Sequence, residues 1–263
     1  VAIHKKRAGR VLLEFLTIML IGLTPVASGL LIIALQVDRK HLEAAEKAAH
    51  EALDRIETVI ETLHTTSSKV LSLAELACDK AMPKLRVEVV SEPNLRSLVL
   101  LRENRAYCST QHGESEIIVD PGTFHNQKLL LAAGNQVTPD SPVLYYRLQE
   151  YPFGVLALTN GLLLQQMISA IKEPATVVVQ FGTEYLSATD IVEDLSHTNI
   201  NEQYLHVVSH KHGFIVHSGF ADGSTWQEVR SNMLASAPSL LLVGIITSAF
   251  VYWSLFSRRN RKL

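Results

Sequence analysis

The sequence predicts an α+β domain inserted between two membrane-spanning helices. Three observations predict it: two long apolar runs without charge near the ends of the 263-residue chain, a helical 3-4 apolar spacing directly after the first run, and short strand patterns separated by turns across the rest. The length allows one or two domains with a real core, and 47% apolar residues exclude a disordered chain.

The first run extends from Phe15 to Val37 and the second from Ser231 to Ser257. A bilayer core about 30 Å thick needs about 20 helical residues, so both are long enough to cross it. Lys5, Lys6, Arg7 and Arg10 precede the first run as the basic region of a signal peptide would. The apolar part of a signal peptide is only about 7–15 residues, however, so the run reads as an uncleaved anchor.

Orientation follows from the positive charges. They flank the spans as Lys5, Lys6, Arg7 and Arg10 on one side and Arg258, Arg259, Arg261 and Lys262 on the other, which keeps both ends in the cytoplasm. The expected organisation is a basic N-terminus over 1–14, a first span over 15–37, an external domain over 38–230, a second span over 231–257 and a basic tail over 258–263. The formal charge of −2 then divides into +7 at the two ends, Glu14 included, and −9 outside. Such a balance argues against a nucleic-acid partner and for a lipid bilayer.

After the first span, Asp38 to Ala77 contains no Gly or Pro and reads as one long helix. Leu42, Ala45, Ala49, Ala52, Ile56, Val59, Leu63, Val70, Leu73 and Ala77 form a seam broken only by Thr66. The seam suits packing against the rest of the domain or a parallel homodimer, helped in the spans by Thr24, Ser28, Gly244 and Ser248. Both can hold in succession along the helix.

Strands follow. Leu95 to Leu101 and Ala106 to Ser109 are expected to form a hairpin around the polar turn Arg102 to Arg105. Further strands are expected at Val143–Leu148, Val155–Thr159, Thr176–Phe181, Leu205–Ser209 and Phe214–His217, with a helix over Gly161–Lys172. Gln111–Asn126 and Asn135–Pro142 carry turn residues and read as loops. This layout, a long helix with an antiparallel sheet, resembles the PAS-like and Cache-like sensor domains of bacterial receptors.

The chain holds two cysteines, Cys78 and Cys108, both in the external segment. An oxidising compartment would allow them to pair, and no other cysteine competes. Such a bond is either an inert staple or a labile switch.

Cys108-Ser109-Thr110, with Cys78 upstream and the flanking spans, resembles the periplasmic CSS-motif domain of bacterial cyclic-di-GMP phosphodiesterases. In that family the domain lies between two transmembrane helices and precedes a cytoplasmic EAL domain. The resemblance implies a bacterial inner-membrane protein whose Cys78–Cys108 disulfide restrains cyclic-di-GMP hydrolysis, with reduction favouring activity. It also implies periplasmic thiol–disulfide oxidoreductases as partners, and contact with cyclic di-GMP only through an EAL domain beyond the 263 residues. Thr110 departs from the family serine but keeps a hydroxyl.

An EAL domain would be a barrel of about 250 residues, with divalent metals held by carboxylates. Six residues follow Ser257, so no catalytic residue and no cofactor is expected in this chain. Glu51-Ala52-Leu53 spells the family tripeptide on the external helix, by coincidence. A hairpin around Lys211-His212 would set His206 opposite His217, a weak candidate pair for zinc or pH sensing. Spacing supplies no third ligand, with Asp222 only a guess, and no metal is assigned. Alternative readings are a module binding a small periplasmic solute and a standalone signalling protein with a structural disulfide.

Overall fold

The structure, a computed structural model, describes residues 2–134, 139, 141–192 and 194–260. The side chains of the basic ends 1–14 and 255–263 lie outside the described residues, as do 135–138 and 140 of the expected loop 135–142. The chain divides into two units, one formed by 1–41 with 223–263 and the other by 42–222.

The first unit holds the start of α1 (Ala2–Val70) and α4 (Ser224–Asn260), two helices long and apolar enough to cross a membrane. Their outer faces expose Leu20, Ile245, Phe250 and Trp253. They approach each other where side chains are smallest. A Cβ on Gly244 would lie 2.7 Å from the Gly22 carbonyl oxygen, and one on Gly22 would run into Ser248. Gly244 and Ser248 thus serve packing within one chain, while the Thr24 and Ser28 hydroxyls donate to carbonyls of their own helix, Leu20 and Pro25. Beyond the apolar stretch, buried His41 meets Glu228 through Nε2 at 2.6 Å and Thr225 through Nδ1 at 3.1 Å, and Lys40 donates to Glu228 at 2.8 Å.

In the second unit α1 supplies the core stripe. Ala45, Ala49, Ala52, Ile56, Val59, Leu63 and Val70 are at most 1% exposed. The seam therefore packs on the domain along this stretch, as an amphipathic helix does. The two ends of the seam, Leu42 and Ala77, are exposed. After Val70 the helix tightens into a 3₁₀ turn over Leu71–Glu75, and α2 (Cys78–Ser91) follows with Pro83 inside it. Sequence reading left that stretch unassigned, because Pro83 masks a helix whose buried stripe is only Cys78, Ala81 and Leu85.

Among the described residues eleven strands form two sheets, with every pair antiparallel. The first contains β1 (Ser97–Arg102), β2 (Arg105–Ser109), β3 (Gly113–Ile118), β4 (Leu129–Ala132), β5 (Val143–Glu150) and β6 (Phe153–Asn160), in the order β3-β2-β1-β6-β5-β4. The second contains β7 (Thr176–Phe181), β8 (Glu184–Leu186), β9 (Ile191–Val192), β10 (Glu202–Val208) and β11 (Ile215–Phe220), in the order β10-β11-β7-β8-β9. The helix α3 (Gly161–Ser169) separates them, capped by the Asn160 side chain, which accepts from the Leu162 amide. β3 falls inside the expected loop 111–126, because its alternation is of Glu and Ser rather than of apolar residues.

Each sheet turns one face to α1. Leu98, Leu100, Leu144, Tyr146, Val155 and Ala157 of the first sheet and Val177, Val179 and Val216 of the second join Ile56, Ile60 and Leu63 in one core. Polar ties fix the helix along both: Glu57 accepts from the Ser209 hydroxyl at 2.6 Å, Arg55 donates to the Met167 carbonyl at 2.9 Å, and His64 Nδ1 meets the Tyr146 hydroxyl at 2.9 Å. The opposite face of the first sheet carries a second apolar cluster of Leu101, Ala106, Phe124, Val143, Leu156 and Leu158.

Candidate functional site

The expected hairpin is formed by β1 and β2, joined by Glu103 and Asn104, both with positive φ (47° and 61°). Positive φ at both central residues is the turn that matches the twist of paired strands. Buried Arg147 donates to the Asn104 side chain at 2.7 Å and so anchors the turn.

An irregularity in this hairpin decides where the second cysteine points. Leu101 pairs with Ala106 but Leu100 pairs with Cys108, so Tyr107 is an extra residue in β2. In a regular strand Ala106 and Cys108 would share a face. With the bulge, Ala106 joins the outer cluster and Cys108 turns to the inner core, which is how bulges re-aim side chains. Cys78, the first residue of α2, lies on that inner side and is joined to Cys108 by a disulfide, S–S 2.02 Å and Cα–Cα 5.3 Å. Cys78 is 5% exposed and Cys108 is fully buried.

The bulged residue makes a second tie beside the disulfide. The Tyr107 hydroxyl reaches the carbonyls of Ala74 at 3.0 Å and Leu76 at 3.1 Å, and Arg102 donates to the Ala74 carbonyl at 3.3 Å. The Arg102 guanidinium also lies 5.0 Å from the centre of the Tyr107 ring. Burial raises the Tyr107 pKa, against the opposing effect of Arg102. Sequence reasoning missed both residues; a bulge has no signature in a single strand of five residues.

The rest of the motif closes the end of the hairpin. The Thr110 hydroxyl accepts from the Leu98 amide at 3.1 Å and pairs with the Ser97 hydroxyl at 3.0 Å, a role that a serine hydroxyl also fits. The Thr110 amide donates to the Leu98 carbonyl at 3.0 Å, and the buried Ser109 hydroxyl accepts from the Gln111 amide at 3.3 Å.

His206 and His217 are direct partners across β10 and β11, with ring centres 6.3 Å apart. His217 is buried, and both its nitrogens are engaged, Nδ1 with the Tyr204 hydroxyl at 2.8 Å and Nε2 with the Gln180 side-chain oxygen at 2.8 Å. Burial, reinforced by the nearby His206, pushes its pKa down to about 4. The ring is therefore neutral near pH 7 and committed to hydrogen bonds, which leaves it no lone pair for a metal. No cluster of three His, Cys, Asp or Glu suited to a metal occurs among the described residues, and Asp222 instead accepts from Asn201 at 2.8 Å. In the tripeptide Glu51-Ala52-Leu53, Glu51 pairs with Arg55 and Ala52 is buried in the helix stripe.

An α+β domain with a buried disulfide, flanked by two helices able to cross a membrane, defines the class. The CSS-motif family, described as the CSS motif domain associated with EAL, matches residues 43–233, and the chain belongs to it. Among curated proteins no match is found. Three solved structures are similar in shape. An extracellular ligand binding receptor from Desulfohalobium retbaense has a TM-score of 0.49 and 9% identity, over 67% of this chain and 40% of that one. The periplasmic domain of RsbU from Chlamydia trachomatis has a TM-score of 0.45 and 13% identity, over 74% of this chain and 98% of that one. The sensory domain of the Campylobacter jejuni chemoreceptor Tlp3 (CcmL), with isoleucine bound, has a TM-score of 0.43 and 9% identity, over 77% and 97%.

Proposed function

We propose that this chain is the membrane-anchored, redox-responsive sensor region of a cyclic-di-GMP phosphodiesterase. Its central domain lies in the periplasm of a bacterium, both termini face the cytoplasm, and a homodimer in the inner membrane carries an EAL domain beyond Leu263. The single observation behind this reading is that a chain of the family associated with EAL joins its motif cysteine, Cys108, to Cys78 in a disulfide.

Cys78 opens α2 directly after the 3₁₀ turn that ends α1, and α1 is continuous with the first apolar stretch. Reduction adds two electrons and two protons from a periplasmic dithiol oxidoreductase, which itself becomes a disulfide. It frees the start of α2 from β2 and changes the packing at the end of α1. A bias of a few kcal/mol there is enough to shift a balanced two-state output.

The test uses the complete gene product, with cyclic-di-GMP hydrolysis measured under oxidising and reducing conditions. Hydrolysis by the natural protein should rise on reduction, and Cys108→Ala should be high and indifferent to reductant. A Cys108→Ala protein with the natural redox response would overturn the reading, as would a coding sequence with no EAL domain after Leu263.

A further inference from the structure

The outer face of the first sheet holds a cavity of about 460 Å³, within the range of about 300–1,000 Å³ usual for small-molecule sites. Val99, Leu156 and Leu158 line it from the sheet, and Ile117 and Phe124 line it from the segment that follows β2. It lies on the side of β1 and β2 opposite Cys108, so it is not part of the disulfide's surroundings.

Its polar groups restrict what fits. No Lys or Arg lines it, and the one lining imidazole, His112, is exposed to solvent, so an anion finds no buried counter-charge. The one lining carboxylate, Asp120, is exposed and accepts from the Gly122 amide of its own turn at 2.9 Å. Ser109, a lining residue only 4% exposed, accepts through its hydroxyl from the Gln111 amide at 3.3 Å. It therefore keeps its own proton to donate. We infer that this cavity binds a small uncharged apolar molecule of about two rings, with one oxygen that accepts a hydrogen bond from Ser109. Such a ligand would add a second input to the domain, independent of thiol chemistry, on the strands that carry the motif.

Hydrogen exchange by mass spectrometry on the oxidised full chain in lipid nanodiscs tests this, because it separates cavity binding from partition into lipid. The probe is 2-naphthol, with 2-naphthoate as its charged counterpart. Peptides covering 97–109 and 117–124 should exchange at least threefold more slowly with 2-naphthol and unchanged with 2-naphthoate, and peptides from β10 and β11 should not respond. Val99→Trp, whose indole fills the cavity, should abolish the protection. Ile118→Glu, at a lining position 74% exposed and so safe for folding, should weaken it at least threefold. The inference is overturned by no protection at saturating 2-naphthol, by equal protection with 2-naphthoate, or by protection that survives both substitutions.

Discussion

Tyr107 shows how one side chain supports a motif it does not belong to. As the extra residue of β2 it turns Cys108 inward, and its hydroxyl holds the 3₁₀ turn that leads to Cys78. Tyr107→Phe should keep the disulfide and cost about 1–2 kcal/mol in unfolding of the oxidised chain, since it removes the one hydroxyl proton that the Ala74 and Leu76 carbonyls share and leaves only Ala74 with a donor, Arg102. His217 gives a pH signature of determinate sign. Its folded pKa of about 4 lies below the unfolded value near 6.5, so the unfolded chain takes up the proton first. This contribution to stability is complete above about pH 6.5, declines as pH falls through that value, and levels off below about pH 4. Denaturation measured across that window should show a flatter decline for His217→Gln than for the natural chain. The facing pair His206 and His217 was legible from alternation around the Lys211-His212 turn, whereas the commitment of His217 to Tyr204 and Gln180 was not. Gln180 comes from a strand far away in sequence, and Tyr204 sits where the pairing of β10 shifts.

At the level of elements, the strength of the sequence signal tracked how one-sided each element is. The strand over Thr176–Phe181 was readable to the residue because it is β-branched and buried in the core; the helix after the first apolar run was readable because alanines and aliphatics recur along one stripe, but it ends at Val70 and not at the expected Ala77. β3 and α2 carry too few apolar residues to show a period. The division of the strands between two sheets was also hidden, since pairing depends on contacts between distant segments. The alanine stripe of α1 has a measurable meaning. Ala49 is fully buried, so Ala49→Leu should overpack the core and lower stability by about 1–3 kcal/mol. A seam used for dimerisation at that position would instead gain association from leucine, so unfolding and oligomeric state measured together separate the two uses.

For the molecule as a whole, the two spans and the cysteine motif were legible because charge-free length and a three-residue signature are local properties. The contact between Gly22 and Gly244 was not, as it depends on how two distant helices meet. Gly244→Leu should push the two helices of one chain apart and lower the unfolding temperature of the chain in nanodiscs without preventing the disulfide. The burial of the bond has a consequence for timing. An oxidoreductase must bring its thiolate in line with a sulfur, and Cys108 is wholly enclosed while Cys78 is nearly so. Exchange in the folded domain therefore waits for the start of α2 to open, whereas an unfolded chain reacts at once. Under the proposed function, a sensor built this way would keep a record of the conditions under which it folded, and its population would change as fast as old molecules open or new ones arrive.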